Sequence, residues 1–372
     1  MGQVEIHGKV DIFQYWPNGA SDVDTLQFVP DMPTAEYVSD GKRVPVAAFF
    51  QNGGNFQEDE NKPGQERFRS IIRSSGGKFL SVRLQGIDAP ETHYASNFRE
   101  GMFTGDYGQW LAKQVTRKKS HRQPYGKLCT DLFASGLRTS LGIGPFNPDS
   151  PEFLVEARLT ILADSINGAV DVYGRVIGYV TLIGNGQEVV LNDHALANGF
   201  AFCSFYGSMA IDEMQRLTGL YMGHGTGEAR KSQLRDNLSD QLLDFEPELW
   251  TTASMRENDR DDNRSGSFRS RCFDPKIFRR CVDWVGRREA LGEPIGLLDY
   301  IRSNDEEVVF LSDFVAADGN WARSRKFAMG SLIARDGGFL YDPGEVVFEA
   351  RPVIVVDRNR IPLPDSFVAP YP

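Results

Sequence analysis

Five side chains in the first half of the chain are of types that together could act on a phosphodiester. Asp24 and Asp88 are hard oxygen donors, the kind that calcium and magnesium prefer. Ala89 precedes Pro90, and the proline biases it toward an extended backbone. That would turn the Ala89 carbonyl toward an ion held by Asp88. Glu91 follows Asp88 by three residues, a reach suited to deprotonating a water beside that ion. Arg83 and Arg175 are planar donors able to grip phosphate oxygens two at a time. A cation and two guanidinium groups would neutralise the charge that grows on a phosphate under in-line attack.

These residues sit in four short stretches: Asp22-Val23-Asp24-Thr25; Arg83-Leu84-Gln85-Gly86-Ile87-Asp88-Ala89-Pro90-Glu91-Thr92; Asp171-Val172-Tyr173-Gly174-Arg175; and Leu191-Asn192-Asp193 running on to Asn198-Gly199-Phe200-Ala201. Their order and wording resemble the staphylococcal nuclease, or thermonuclease-like, family. The resemblance implies a five-stranded OB-fold barrel with packed helices and calcium-dependent cleavage of DNA and RNA that leaves a 3′-phosphate. It assigns Asp24, Asp88 and the Ala89 carbonyl to the metal, Glu91 to the general base, and Arg83 and Arg175 to the phosphate. Magnesium and manganese are alternatives to calcium. Tyr173, Phe205 and Tyr206 are the aromatic candidates for contact with a nucleotide. The chain departs from the family at Val23, where glycine is common, and in two long intervals, at about 30–78 and 94–150.

Other readings stand beside these. Asp22 reads equally as a turn carboxylate that caps backbone N–H groups. Tyr173 and Gly174 suit a turn beside a packed aromatic, and Asn192 suits a bond to backbone. His93 reads as a loop histidine. The basic run 117–122 is either a contact for a phosphate backbone or a solvated helix end.

The elements that must position these residues are legible in part. Residues 4–13 and 25–29 read as strands around a Pro-Asn-Gly turn at 17–19. Residues 79–87, 153–162 and 175–183 also read as strands, the second with Val155, Ala157, Leu159 and Ile161 on one face. Tyr107, Trp110, Leu111 and Val115 share one face of a helix. A short strand leads into a helix over 189–197, stopped at Asn198-Gly199, and another helix spans 211–221. Further on, 273–285 and 295–301 read as helices, and 308–314 and 346–356 as strands.

Composition sets the frame. The 372 residues exceed one small barrel. The expected organisation is α+β, mainly β. It comprises a nuclease-like domain over 1–253 with both insertions, a polar linker over 254–267, and a smaller α+β domain over 268–372. The net charge of −10 argues against a passive, sequence-blind nucleic-acid binder, which gains affinity from positive charge. An enzyme needs only a local positive field. The N-terminus shows no basic region followed by an apolar run, and no apolar stretch is long enough to span a bilayer. The expectation is a soluble protein with no membrane partner, cytoplasmic by default, with export by another route left open. Cys272 and Cys281 lie nine apart and could pair, but reduced thiols are the simpler reading. Nucleic acid is the expected partner as substrate. The alternative is a non-catalytic scaffold of the same fold that binds nucleic acid or protein. No motif assigns a role to 268–372.

Overall fold

A computed structural model of the chain describes residues 3–12, 21–39, 42–46, 80–96, 120–123, 126–144, 154–162, 171, 175–206, 209–223, 274–291, 296–303, 306–333, 340 and 346–350. The helix expected over 107–115, the turn at 17–19, the linker over 254–267 and Tyr173 lie outside these residues.

The strands are β1 (Gln3–Asp11), β2 (Thr25–Ser39), β3 (Lys42–Val46), β4 (Leu80–Leu84), β5 (Ile87–Asp88), β6 (Leu154–Ile161), β7 (Val176–Gly184), β8 (Gln187–Val190), β9 (Phe202–Tyr206), β10 (Glu307–Phe310), β11 (Lys326–Ala328) and β12 (Val346–Ala350). Five of them close into a mixed barrel. The order is β1-β6-β7-β4-β2, and β2 returns to pair with β1. Only β4 and β7 are parallel within the ring. Alternation explains the walls: Val4, Ile6 and Val10 of β1, Leu80, Val82 and Leu84 of β4, and Val155, Ala157, Leu159 and Ile161 of β6 are all buried. Gly8 lets the ring bend. The β1–β2 register slips between Ile6 and Gly8, and a Cβ on Gly8 would meet the Val29 carbonyl oxygen at 2.2 Å.

Six α-helices are present among the described residues. The helix α1 (Gly126–Ser140) lies within the second long interval, beyond the helix expected over 107–115 and at residues for which no element was expected. It buries Cys129, Phe133, Ala134 and Leu137, one apolar face of a helix. α2 (Leu191–Ala197) follows β8, and α3 (Ile211–Gly223) stands where a helix was expected, as the sequence suggests; the strand β9 before α3 was not expected.

The C-terminal elements are α4 (Pro275–Leu291), α5 (Leu297–Ser303) and α6 (Leu311–Ala316), with β10 to β12. The expected strand over 308–314 splits: β10 ends at Phe310 and α6 begins at Leu311. Leu311 and Phe314 are both buried, and an i, i+3 pair reaches one side only on a helix. These elements have an apolar cluster of their own, around Ile277, Phe278, Cys281 and Val282. They also join the barrel. β12 pairs in parallel with β9, and β9 pairs with β5, in a sheet ordered β11-β10-β12-β9-β5. Val309, Leu311, Phe314 and Val347 pack into the barrel's own core. Cys129, Cys203 and Cys281 are free and buried. Among the described residues no helix is long and apolar enough to cross a membrane.

Candidate active site

The barrel brings four of the sequence stretches to one end. Thr25 opens β2 opposite Arg83 on β4. Arg175 directly precedes β7, whose first residue, Val176, pairs with Val82. The two arginines therefore stand on neighbouring parallel strands, Arg83 near the end of β4 and Arg175 just before the start of β7, two register positions apart. The turn between β4 and β5 passes through Gly86 with φ +81°, a backbone that L side chains rarely adopt. A Cβ there would also strike Leu217 Cδ1 at 2.3 Å. This tight turn delivers Asp88 back beside Arg83.

One guanidinium ties two acids together. Arg83 pairs with Asp24 Oδ1 through Nη1, and with Asp88 Oδ1 through Nη2 at 2.6 Å. The other oxygen of Asp24 accepts the Ala89 N–H at 2.7 Å. Thr25 Oγ1 donates to Asp24 Oδ1 at 3.0 Å and accepts from Arg175 Nη1 at 2.9 Å. Arg175 is aimed by Asp171, whose carboxylate takes the Arg175 backbone N–H at 2.9 Å and Nε at 2.7 Å. Arg175, Thr25, Asp24, Arg83 and Asp88 thus form one continuous chain of polar contacts.

Glu91 is held by a residue that the sequence did not signal. Its N–H donates to Gln123 Oε1 at 3.0 Å, and its carbonyl accepts the Gln123 N–H at 2.9 Å. Gln123 is fully buried. It belongs to the short segment 120–123 that pairs with the Glu91 loop through Tyr94 and His121. His121 and Arg122 are buried, so this end of the basic run is neither a solvated helix end nor a free phosphate-binding surface. Asp22 takes the structural role: Thr92 donates to its Oδ1 from N–H at 2.5 Å and from Oγ1 at 2.6 Å. Asn192 also bonds to backbone, donating to the Gln85 carbonyl at 2.8 Å.

The second residue without a local signal is Arg279, in the second turn of α4. Its Nη2 lies 2.5 Å from Asp88 Oδ2, and its Nη1 lies 3.0 Å from Asp88 Oδ1 and 2.6 Å from Glu91 Oε1. The helix that carries it is fixed at its start. Asp274 accepts the N–H groups of Lys276 at 2.8 Å and Ile277 at 3.0 Å, a side-chain cap before Pro275. Arg280 pairs with the buried Glu306, with Nε 2.8 Å from Oε2. In sequence, Arg279 was only one of several basic residues after 267, readable as ordinary charged surface.

Burial sets the electrostatics. Asp24, Asp88 and Glu91 are buried, while the Arg83, Arg175 and Arg279 side chains are 12%, 23% and 22% exposed. The acids form a floor and the arginines a partly open rim. Burial and the nearby Asp22 charge push Glu91 up to about 8. Burial and Asp24 push Asp22 up to about 6. Burial also raises Asp24, against the pull of Arg83. Asp88 goes the other way: burial would raise it, but Arg279 and Arg83 outweigh that and hold it well below the usual carboxylate range.

A divalent cation does not fit among these carboxylates as they stand. Both Asp88 oxygens and Glu91 Oε1 face guanidinium nitrogens, and both Asp24 oxygens accept hydrogen bonds. Ala89 turns its N–H to Asp24. Among the described residues no three His, Cys, Asp or Glu side chains converge in a metal-ligating arrangement.

The aromatic candidates separate. Phe205 is fully buried in β9 and packs on Phe314, with ring centroids 5.4 Å apart. No face is left for a base, so stacking on Phe205 is corrected to a core role. Tyr206, next in the strand and 8% exposed, lies where its hydroxyl feels Arg83 and Arg175. Tyr173 falls outside the described residues. No protein-family model matches the chain, and no curated protein matches it in sequence.

Proposed function

We propose that this chain is a phosphodiesterase that hydrolyses nucleic acid, DNA, RNA or both, on an OB-type barrel like that of the staphylococcal nuclease family. One observation carries the reading. Arg83 and Arg175 stand two register positions apart on adjacent strands and are joined through Thr25 and Asp24, with Asp88 and Glu91 beside them. Residues far apart in sequence meet where a phosphate would need two bidentate donors and a base.

In this reading a backbone phosphate docks on the exposed edges of Arg83 and Arg175. A water approaches phosphorus in line with the departing 5′ oxygen. Glu91, once deprotonated, takes the water's proton as the new P–O bond forms. The bond to the 5′ oxygen breaks, that oxygen acquires a proton, and a 3′-phosphate remains. The guanidinium groups meet the charge that develops on the non-bridging oxygens. Calcium, with magnesium or manganese as alternatives, is the cofactor that the family resemblance implies, but the carboxylates as they stand are taken up by guanidinium and N–H donors, so no step is routed through an ion. The steps above are those of the chain's own side chains.

The test is a cleavage assay on single- and double-stranded DNA and RNA across calcium, magnesium and manganese. The expected outcome is degradation that a chelator stops and that Arg175→Ala or Glu91→Ala abolishes. A folded protein inactive with every ion and substrate overturns the proposal. The second reading, a non-catalytic binding module, is favoured by one feature: Arg279 engages both Asp88 and Glu91. Nucleic-acid binding without turnover in any ion is its signature.

A further inference from the structure

Arg279 reaches the site from a segment that no motif connects with it, 191 residues from Asp88 and 188 from Glu91. Its position is built. The side chain leaves a capped helix whose core residues Ile277, Phe278 and Cys281 are fully buried. Next to it, Arg280 is tied to Glu306. Asp283 accepts a bond from Tyr94 OH at 3.3 Å. Tyr94 belongs to the loop that carries Glu91, so helix and loop are also joined outside the site. A continuous sheet runs from β12 through β9 to β5 and Asp88.

The donors of this guanidinium can be counted. An arginine head carries five N–H groups, two on each Nη and one on Nε. One from each Nη goes to Asp88, with Nη2 2.5 Å from Oδ2 and Nη1 3.0 Å from Oδ1. The second of Nη1 goes to Glu91 Oε1 at 2.6 Å. The second Nη2 N–H and the Nε–H have no hydrogen-bond partner among the described residues. These two lie on one edge of the planar group, spaced for two oxygens of a single phosphate. The side chain is 22% exposed, and its Nε reaches solvent.

Arg83 lies 2.6 Å from the same Asp88 Oδ1 that Arg279 touches, so two guanidinium groups meet on one oxygen. Arg175 is linked to Arg83 through Thr25 and Asp24. Three guanidinium groups thus rim one place in a chain whose net charge is −10. A polyanion would be held there by a local field and not by the charge of the whole. A phosphate on the open edge of Arg279 breaks none of its pairings with Asp88 and Glu91. The counter-charge of the buried acids therefore stays in place when the ligand arrives.

The geometry points to Arg279 as a third phosphate-binding residue of this site, contributed by the C-terminal segment: its Nε–Nη2 edge takes a phosphate group of a nucleic-acid strand beside Arg83. The inference rests on the reading of the site as one that acts on nucleic-acid phosphodiesters. Backbone phosphates and a phosphate at a strand end present the same paired oxygens, and the experiment separates the two.

The experiment is fluorescence anisotropy on the full chain in a chelating buffer over a salt series. The probes are short single-stranded oligothymidylates with and without a 3′-phosphate. Arg279→Gln is expected to bind at least about tenfold more weakly than the parent chain, and the slope of log affinity against log salt to fall by about 0.7. Weakening with both strands assigns the edge to a backbone phosphate, and weakening with the 3′-phosphorylated strand alone assigns it to the end; either supports the inference. Parent-like affinity for both strands overturns it, as does a parent chain that binds neither. Arg279→Lys keeps a positive charge for the acids but not the paired edge. It is expected to melt near the parent and still to bind several-fold more weakly. A lysine that restores full affinity shows Arg279 to be a counter-charge only and overturns the inference. If Arg279→Gln does not melt cooperatively, the lysine variant decides by the same criterion. Cleavage is measured on the same preparations in calcium, magnesium and manganese. Binding that depends on Arg279 without cleavage sinks the nuclease reading alone, and cleavage with binding indifferent to Arg279 sinks only the role given to that residue.

Discussion

Gln123 and Glu91 clasp one another through backbone and side chain. The Glu91 N–H donates to Gln123 Oε1 at 3.0 Å, and the Gln123 N–H donates to the Glu91 carbonyl at 2.9 Å. The loop that carries the proposed base is thereby held by a residue of the second long interval. The start of α1 closes over the same loop, since a Cβ on Gly126 would lie 2.5 Å from the Glu91 carbonyl oxygen.

Gln123→Ala leaves a buried N–H without its acceptor. Stability is expected to fall by about 1–3 kcal/mol, read from urea unfolding. Cleavage should fall further than stability explains, through turnover rather than substrate affinity, because the base is misplaced and the phosphate grip is untouched. Gln123→Glu keeps an acceptor at that position and should recover part of the loss. A variant with normal turnover would show that the clasp does not position Glu91.

Glu91 links folding to pH. Its folded value of about 8 lies above the ordinary 4.5, so the native state holds a proton that the unfolded chain has released between those pH values. Its contribution to stability is full below pH 4.5 and is lost as pH rises toward 8. Asp22, raised to about 6 from 3.8, acts in the same direction over its lower window. Glu91→Gln should flatten the upper part of the decline and stabilise the protein at pH 8 by on the order of 2 kcal/mol. Thermal melts from pH 5 to 9 check this. In the parent chain, cleavage should rise through the same upper range as Glu91 loses its proton.

Arg83 and Arg175 should part company on stability. Arg83 is 12% exposed and bridges two buried acids. Arg83→Ala leaves both acids without that partner and should cost about 3–5 kcal/mol. Arg175 is 23% exposed and pairs with Asp171. Arg175→Ala should cost about 1 kcal/mol or less while reducing cleavage about a hundredfold or more. Paired unfolding and rate measurements separate the two. Equal destabilisation would show Arg175 to be as structural as Arg83.

Phe205→Ala should behave as a core truncation, losing about 3–5 kcal/mol, because the ring of this β9 residue packs on Phe314 of α6. At a temperature where the variant remains folded, its Michaelis constant for an oligonucleotide should match the parent's. A raised constant would restore Phe205 as a contact for the substrate.

Local pattern carried the barrel and most of its proposed chemistry. Alternation marked β1, β4 and β6 because their side chains face core and exterior in turn. Asn198-Gly199 marked the end of α2 because the backbone turns there with Gly199 at φ +70°. The acids and arginines were readable because each sits in a short stretch of distinctive wording. β9 was not foreseen, since all five of its residues, the polar Ser204 among them, are buried, so Phe-Cys-Ser-Phe-Tyr carries no alternation of polar and apolar residues. The division of 308–314 into β10 and α6 was hidden for the same reason: Val-Val-Phe-Leu suits either period until Leu311 and Phe314 must reach one core. Helix α1 did leave a signal in Cys129, Phe133 and Leu137 at four-residue spacing, within an insertion where only the helix over 107–115 was read.

The partners of Glu91 and Asp88 were decided in three dimensions alone. Gln123 and Arg279 have no motif around them, and nothing local distinguishes Arg279 from Arg280. One faces the acids of the barrel and the other faces Glu306 because α4 is rotated and anchored by its cap, its core face and the pairing of β12 with β9. The sequence by itself singled out the groups proposed to grip a phosphate and the one proposed to serve as its base. Tertiary structure decided which cation lies on Asp88 and Glu91, because charge balance in a buried site depends on every group that packing brings there, however distant along the chain.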